Sequence, residues 1–416
     1  MKKVIKTVLA LTVGLFLGLA AVMLFQMYKP VWDASKPIDG LSEYTMNVTD
    51  ELVDRDAKII GLGEATHGNK EFQELKLEVL KTLVRDNGVS AFCLEMDYGE
   101  GLLINDYIRG RSNMTCEELF SHISFELYHT EAIRELIEWM KSYNTDSRDG
   151  YLEFYGFDIQ NPETDVYAIR EFSKQNNIPV ESTAMDAFLA NEFAFGEDGT
   201  DELLEELENC REALSSENYQ EIYNIGRILK CIDNVSLAKG LADAYAGNDS
   251  VAYGMYRDKA MADNIAEISE NVGYPIMISG HNGHVGYAGS YVKTMGSYLR
   301  DSFGEEYFVI GTDYFKTTAS IKSSDGRKNH ISYSADPLAY QAKDLGTYYL
   351  RFDDIRDNER LNSIITGKMS TGSLGEGFSF LNNLLPASVR VYAPVTDLYD
   401  GMIFVYKASP FTLLDY

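Results

Sequence analysis

Four short apolar runs in this 416-residue chain are each followed by side chains able to take or give a proton. Ile59–Gly63 leads into Glu64-Ala-Thr-His67-Gly68, and Ala91–Leu94 into Glu95 and Asp97. Leu152–Phe157 leads into Asp158 and Gln160, and Pro275–Ser279 into Gly280-His281-Asn282-Gly283-His284. Three of the six histidines therefore follow such runs. A neutral His poised by a carboxylate is a general base that can take a proton from water near neutral pH. Further His or Lys side chains can hold the oxyanion that develops when water attacks an ester. Two or three His with a Glu also make a zinc set, in which the metal would activate the water instead.

Other chemistries fit less well. The chain has no His-Glu-x-x-His segment and no Gly-x-Ser-x-Gly elbow of a serine hydrolase. Gly61 and Gly63 lack the third Gly of a dinucleotide loop, and Glu64 stands where phosphate would lie, which argues against a nucleotide cofactor. Each residue singled out also has an ordinary structural use. Glu64 or Glu95 could be solvated at a strand end, Asp158 could cap a helix, and His67 before Gly68 could be a turn residue. His281 and His284, flanking Gly283, are harder to explain by packing. His122 and His129 flank a helix start and read as structural, and His330 lies in a polar stretch. The argument rests on convergence, not on one residue.

Convergence requires elements that bring these points together. Helical patterns lie between the first three runs: Phe72, Leu75, Val79, Leu80, Leu83, then Ile133, Leu136, Ile137, Met140. Alternating strands and helices predict an α/β fold with a mostly parallel central sheet flanked by helices, in which ligands bind outside the carboxyl ends of the strands. Tyr307–Gly311 and Met402–Tyr406 supply further strands, and Lys316–Lys343 reads as a hairpin or loop excursion. From residue 182 to 264 strand runs give way to Glu-rich amphipathic stretches, Asp201–Leu214 and Asn218–Ile232, with Gly196–Thr200 as the loop and cap before the first. The predicted organisation is a catalytic body in two parts, 45–181 and 265–416, with a helical insertion or cap at 182–264.

The N-terminus carries a separate signal. Lys2, Lys3 and Lys6 precede an uncharged run of 18 residues, Val8–Phe25, closed by Lys29-Pro30. That length is the lower end of what a single transmembrane helix needs, and the Lys excess before it places the N-terminus inside. Residues 1–30 read as a signal anchor with the body on the extracytoplasmic side; the alternative is a secretory signal, cleaved to release the body. Disulfides are then permitted, and Cys210 and Cys231 fall in one helical region where they could pair. Against 37 Lys and Arg stand 64 Asp and Glu, a net charge of −27. Such an excess repels nucleic acid and anionic lipid and favours a cationic small substrate.

Several segments resemble the erythromycin esterase family: Gly61-Leu-Gly-Glu-Ala-Thr-His-Gly68 with Glu71-Phe72, Leu94-Glu95, Tyr155-Gly-Phe-Asp-Ile-Gln160, Arg257-Asp258 with Met261-Ala262 and Asn264, Gly280-His-Asn-Gly-His-Val285, and Tyr399-Asp-Gly-Met-Ile-Phe404. They span residues 57 to 406. The resemblance implies a carboxylic ester hydrolase that needs no metal or other cofactor and opens macrolide lactones. It implies His67 as the base, Glu64 and Glu95 as the carboxylates that orient and tune it, and His281 and His284 as substrate-polarising groups. Lys76, Asp158, Arg257 and Asn282 are then substrate-binding positions. Lys76 stands where the family often has Arg, keeping the charge but losing the planar fork. The alternatives are a metal-dependent hydrolase using His67, His281, His284 and a Glu, and a surface binding protein without turnover.

Overall fold

The structure, a computed structural model, describes residues 2–146, 150–289, 292–323, 326–379, 382 and 385–415. The chain forms two compact units, one of residues 51–63, 73–309 and 413–416, the other of residues 1–50, 64–72 and 310–412. The architecture is mixed α/β, with mostly parallel strand pairing and flanking helices.

The N-terminal run is a helix, α1 (Lys2–Ala34), which continues past Pro30 instead of ending there. Its span Ile5–Ala34 is long and apolar enough to cross a membrane. Leu11, Leu15 and Phe16 along it are exposed. A helix that is apolar all round and buries none of that surface is suited to an apolar surrounding.

The larger unit begins with alternating elements: β1 (Ile59–Glu64), α2 (Lys70–Asn87), β2 (Ala91–Asp97), α3 (Tyr98–Ile108), α4 (Cys116–Phe120), α5 (Glu131–Asp146) and β3 (Glu153–Asp158). Helices follow: α6 (Glu163–Gln175), α7 (Thr183–Leu189), α8 (Thr200–Leu214), α9 (Ile225–Ala246) and α10 (Ser250–Val272). β4 (Ile276–His281), α11 (Asn282–Val285) and α12 (Met295–Phe303) complete it. The strands lie in the order β3-β2-β4-β1, and β2 pairs in parallel with both β3 and β4. Leu94 stands opposite Gly156 on one side and Ser279 on the other, so the ends of three strands fall at one level. β1, β2 and β4 are buried at every residue, which is why they read as unbroken apolar runs and not as alternation. The periodic residues of α2 and α5 are buried, each large aliphatic side chain contributing about 1.5–3 kcal/mol on burial.

The smaller unit is built from β5 (Tyr307–Ser323), β6 (Gly326–Tyr333), α13 (Pro337–Leu345), β7 (Tyr348–Arg351), α14 (Glu359–Ile365), β8 (Met369–Gly372), β9 (Arg390–Ala393) and β10 (Gly401–Ala408). β10 lies between β5 and β7, parallel to the first and antiparallel to the second. β8 and β9 form a separate antiparallel pair. The polar stretch after residue 316 is the far half of β5 folded back antiparallel as β6, followed by α13; residues 324 and 325 of that stretch lie outside the described residues.

Some sequence-level boundaries shift. β2 runs on to Asp97, so Glu95 is a strand residue; the β2–β3 register shifts between Leu94 and Asp97, an irregularity of the kind that re-aims side chains. The helix expected from Asn218 starts at Ile225, because Asn224 takes a left-handed φ of 68° that a helix cannot contain. α10 continues to Val272 without a break at residue 264. The four cysteines are free: Cys210 lies 3.9 Å from Ser173 Oγ and Cys231 is fully buried on α9, and the two thiols do not pair.

Candidate active site

The first cluster lies in the smaller unit, on the loop that follows β1. His67 Nδ1 is 2.5 Å from Glu64 Oε1, and both side chains are buried, His67 at 9% exposure. The loop between them is held by backbone and side-chain bonds. Ala65 N donates to Thr312 Oγ1 at 3.0 Å, and Leu374 N to Ala65 O at 3.0 Å. Gly68 N donates to Thr66 Oγ1, and Ser320 N to Gly68 O at 2.9 Å. A Cβ on Gly68 would lie 2.8 Å from both backbone N and O of Ser320, so only Gly allows this approach. Asn69 then spans β5 and the end of β10, donating to Thr318 O and Ser409 O while Thr317 Oγ1 donates to it. With Glu64 ionised, Nδ1–H points at the carboxylate and Nε2 carries the lone pair that can accept a proton.

The second cluster lies in the larger unit, at the ends of β2, β3 and β4, and its centre is Arg257 on α10. The guanidinium donates to both carboxylate oxygens of Asp158, at 2.9 Å from Nε and 2.6 Å from Nη2, and Nη2 reaches Glu95 Oε1 at 2.7 Å. Asp158 is fully buried and also accepts from Ile159 N and Gln160 Nε2, so it bears on any ligand only through Arg257. Glu95 Oε2 accepts from His281 N at 2.7 Å, tying β2 to the end of β4. His281 Nδ1 accepts from Gly283 N and starts the short α11, which places Asn282 and His284. Asn282 is buried where β1 runs close, and a Cβ on Gly63 would lie 2.1 Å from its Oδ1.

His284 is held at both ring nitrogens. Nδ1 lies 2.5 Å from Asp258 Oδ1, and Nε2 lies 3.1 Å from Arg257 Nη1 and 3.5 Å from Glu95 Oε1. Burial disfavours the imidazolium most strongly, but the Glu95 and Asp258 carboxylates outweigh it, and the pKa moves up from 6.5.

Glu95, Asp158, Arg257, His281, Asn282 and His284 therefore meet in the larger unit, and Glu64 meets His67 in the smaller. Lys76 is fully buried on α2. Asp258 was not among the residues singled out by sequence, although it sits beside Arg257 in a matching segment; one residue further round a helix is enough to reach the other face of His284. The remaining histidines have structural contacts: His122 lies against the Tyr167 ring, His129 Nε2 meets Ile123 O, and His330 stacks on Phe378 at 3.9 Å. Among the described residues no group of three or more His, Cys, Asp and Glu is arranged to hold a metal ion.

Fold and clusters define an α/β protein that carries imidazole–carboxylate pairs beside its strand ends, the equipment of a hydrolase. The erythromycin esterase family model matches residues 84–408, and the chain belongs to that family. The Glu64–His67 loop precedes the matched region. A relative from Escherichia coli, erythromycin esterase type II, is 22% identical over 408 residues, covering 85% of this chain and 90% of its own. Three solved structures share the fold. A Bacillus cereus protein superposes with a TM-score of 0.73 at 20% identity, over 92% of this chain and 99% of its own. A succinoglycan biosynthesis protein gives 0.68 at 19%, over 92% and 94%. A mutant of the erythromycin esterase EreC in its open conformation gives 0.57 at 16%, over 87% and 93%. Family membership supports a hydrolase of the esterase type.

Proposed function

We propose that this protein hydrolyses an ester or macrolactone of a small molecule, with His67 as general base. The observation that carries this is the 2.5 Å approach of His67 Nδ1 to a buried Glu64 carboxylate, which orients the imidazole and raises its basicity. The water oxygen bonds to the carbonyl carbon, the carbon–oxygen ester bond breaks, and the proton passes through His67 to the departing alcohol. Glu95 tunes the charge balance, His281 polarises the substrate on its oxyanion side, His284 does so through the Arg257 guanidinium that its Nε2 meets, and Arg257, held by Asp158, takes part in substrate binding with Asn282 and Lys76. No cofactor enters the reaction. The helices between residues 182 and 264 act as the cap that sets specificity. Macrolide inactivation is the specific activity proposed, supported by the E. coli relative's name, and the net charge of −27 favours an aminosugar-bearing, cationic substrate.

α1 anchors the protein as a single-pass membrane helix, with the body on the extracytoplasmic side and no nucleic-acid partner; its length, composition and preceding lysines support this over release by cleavage. The test is a panel of simple esters and macrolides with the full chain and His67→Ala. Hydrolysis by the wild type and its loss in a folded His67→Ala protein are expected; undiminished hydrolysis in that variant would overturn the reading.

A further inference from the structure

Arg257 and Asp258 are consecutive on α10, yet they reach the two different nitrogens of one imidazole. A guanidinium is a donor only, so at 3.1 Å from Arg257 Nη1 the Nε2 atom of a neutral His284 must be the acceptor. The ring proton then sits on Nδ1, facing Asp258 Oδ1 at 2.5 Å. The other neutral tautomer would set Nε2–H against the Arg257 donor and leave only Glu95 Oε1, at 3.5 Å, to receive it. Asp258 is nearly as buried as Glu95, so solvent does not replace it as a partner.

We infer that Asp258 is a positioning residue for the esterase reaction: it fixes His284 in the Nδ1–H tautomer, with Nε2 held toward Arg257 and Glu95. The inference rests on the reading of His284 as a group that acts on substrate through the Arg257 guanidinium. It assigns to Asp258 a role through His284, and to the Arg257–Asp258 pair a joint grip that neither residue supplies alone. Substituting Leu at 258 removes the acceptor for Nδ1–H at similar volume, whereas Asn keeps an amide oxygen that can still accept.

The experiment uses the full chain in detergent micelles with ¹³C,¹⁵N-labelled histidine, the His284 signals being assigned by their loss in His284→Gln. At alkaline pH the wild type is expected to show the Nδ1–H tautomer at His284, Asp258→Leu to lose it, and Asp258→Glu to keep it. Turnover of 4-nitrophenyl butyrate is expected to fall by about 10²-fold or more in Asp258→Leu, in line with loss of one group that stabilises developing charge, and to recover at least tenfold in Asp258→Glu. An Nε2–H tautomer in the wild type, or an unchanged tautomer in Asp258→Leu, overturns the inference. Absence of any ester turnover in the wild type would instead sink the esterase reading, while the tautomer signals still decide the part played by Asp258.

Discussion

His67 and Glu64 are three residues apart and meet side chain to side chain at 2.5 Å, across a loop whose backbone is bonded to β5. The contact is local in sequence, but its geometry depends on distant residues such as Thr312, Ser320 and Leu374. If His67 is the base, His67→Ala lowers kcat by about 10²–10⁴-fold, the usual contribution of a positioned base. Glu64→Gln retains an acceptor for Nδ1–H but loses the charge, so its loss is smaller. Steady-state kinetics with a thermal melt of each variant checks this; equal losses in both would point to a role for Glu64 beyond orienting the ring.

Gly68→Ala tests the frame around that loop. The added methyl would stand 2.8 Å from Ser320 backbone atoms on a long strand, where nothing flexible can yield. The expected cost is about 1–3 kcal/mol of stability, together with lower kcat, because His67 is the preceding residue. A variant with unchanged melting and unchanged rate would show that the loop does not need this approach.

Arg257→Met leaves Glu95 and Asp158 buried without their shared cation. Breaking a buried ion pair from one side costs about 3–5 kcal/mol, so denaturant midpoints should fall well beyond those of an exposed control such as Arg356→Met, whose partner Asp353 is half-exposed. Equal shifts in the two variants would mean that the buried network carries little.

Asp313 and Asp336, in the smaller unit, are a second pair of fully buried carboxyl groups, each perturbed by the other. Burial raises Asp336 from 3.8 to about 6, while its bonds to Asp313, Ala339 N and Leu338 N pull the other way. Asp313 is pushed up by burial and then by Asp336; Tyr314, Tyr399 and Arg390 also feel its charge. Because these folded-state values are raised, the native state binds more protons than the unfolded chain. The pair's contribution is complete below pH 3.8 and fades as pH rises through about 6 for Asp336 and higher for Asp313. Asp336→Asn keeps the cap on α13 and can donate to Asp313 without titrating. Its melting temperature should therefore fall less between pH 4 and pH 7 than that of the wild type, and parallel curves would contradict the raised value of Asp336.

Chelation gives a further check on the chemistry. The mechanism proposed above predicts ester turnover unchanged after exhaustive dialysis against EDTA, measured beside the metal content of the purified protein. Loss of activity that zinc restores would favour the metal-dependent alternative.

Much of this protein could be read from residue order. The apolar runs of a parallel sheet are continuous because both faces are covered, so β1, β2, β3 and β4 stood out, as did the polar residues after them. The 3.6-residue period exposed α2 and α5, and the Glu64–His67 pair lay within one loop. Strand ends were less legible: β2 passes Leu94 through a register shift that only its neighbours define, and β5 runs on to Ser323 because β6 folds back along it. Asn224 ended one amphipathic pattern by adopting a backbone angle that composition does not announce.

Sequence alone determined the apolar N-terminal helix, the alternation of strands and helices, and which residue types gather after the strands, since these follow from local hydrophobic pattern and chain chemistry. Tertiary structure decided which of those residues touch. The strand order β3-β2-β4-β1 brings Glu95 to His281, and the path of α10 brings Arg257 and Asp258 to opposite nitrogens of His284. Such contacts join residues more than 25 positions apart, and their partners are selected by strand pairing and helix packing, which no local pattern encodes.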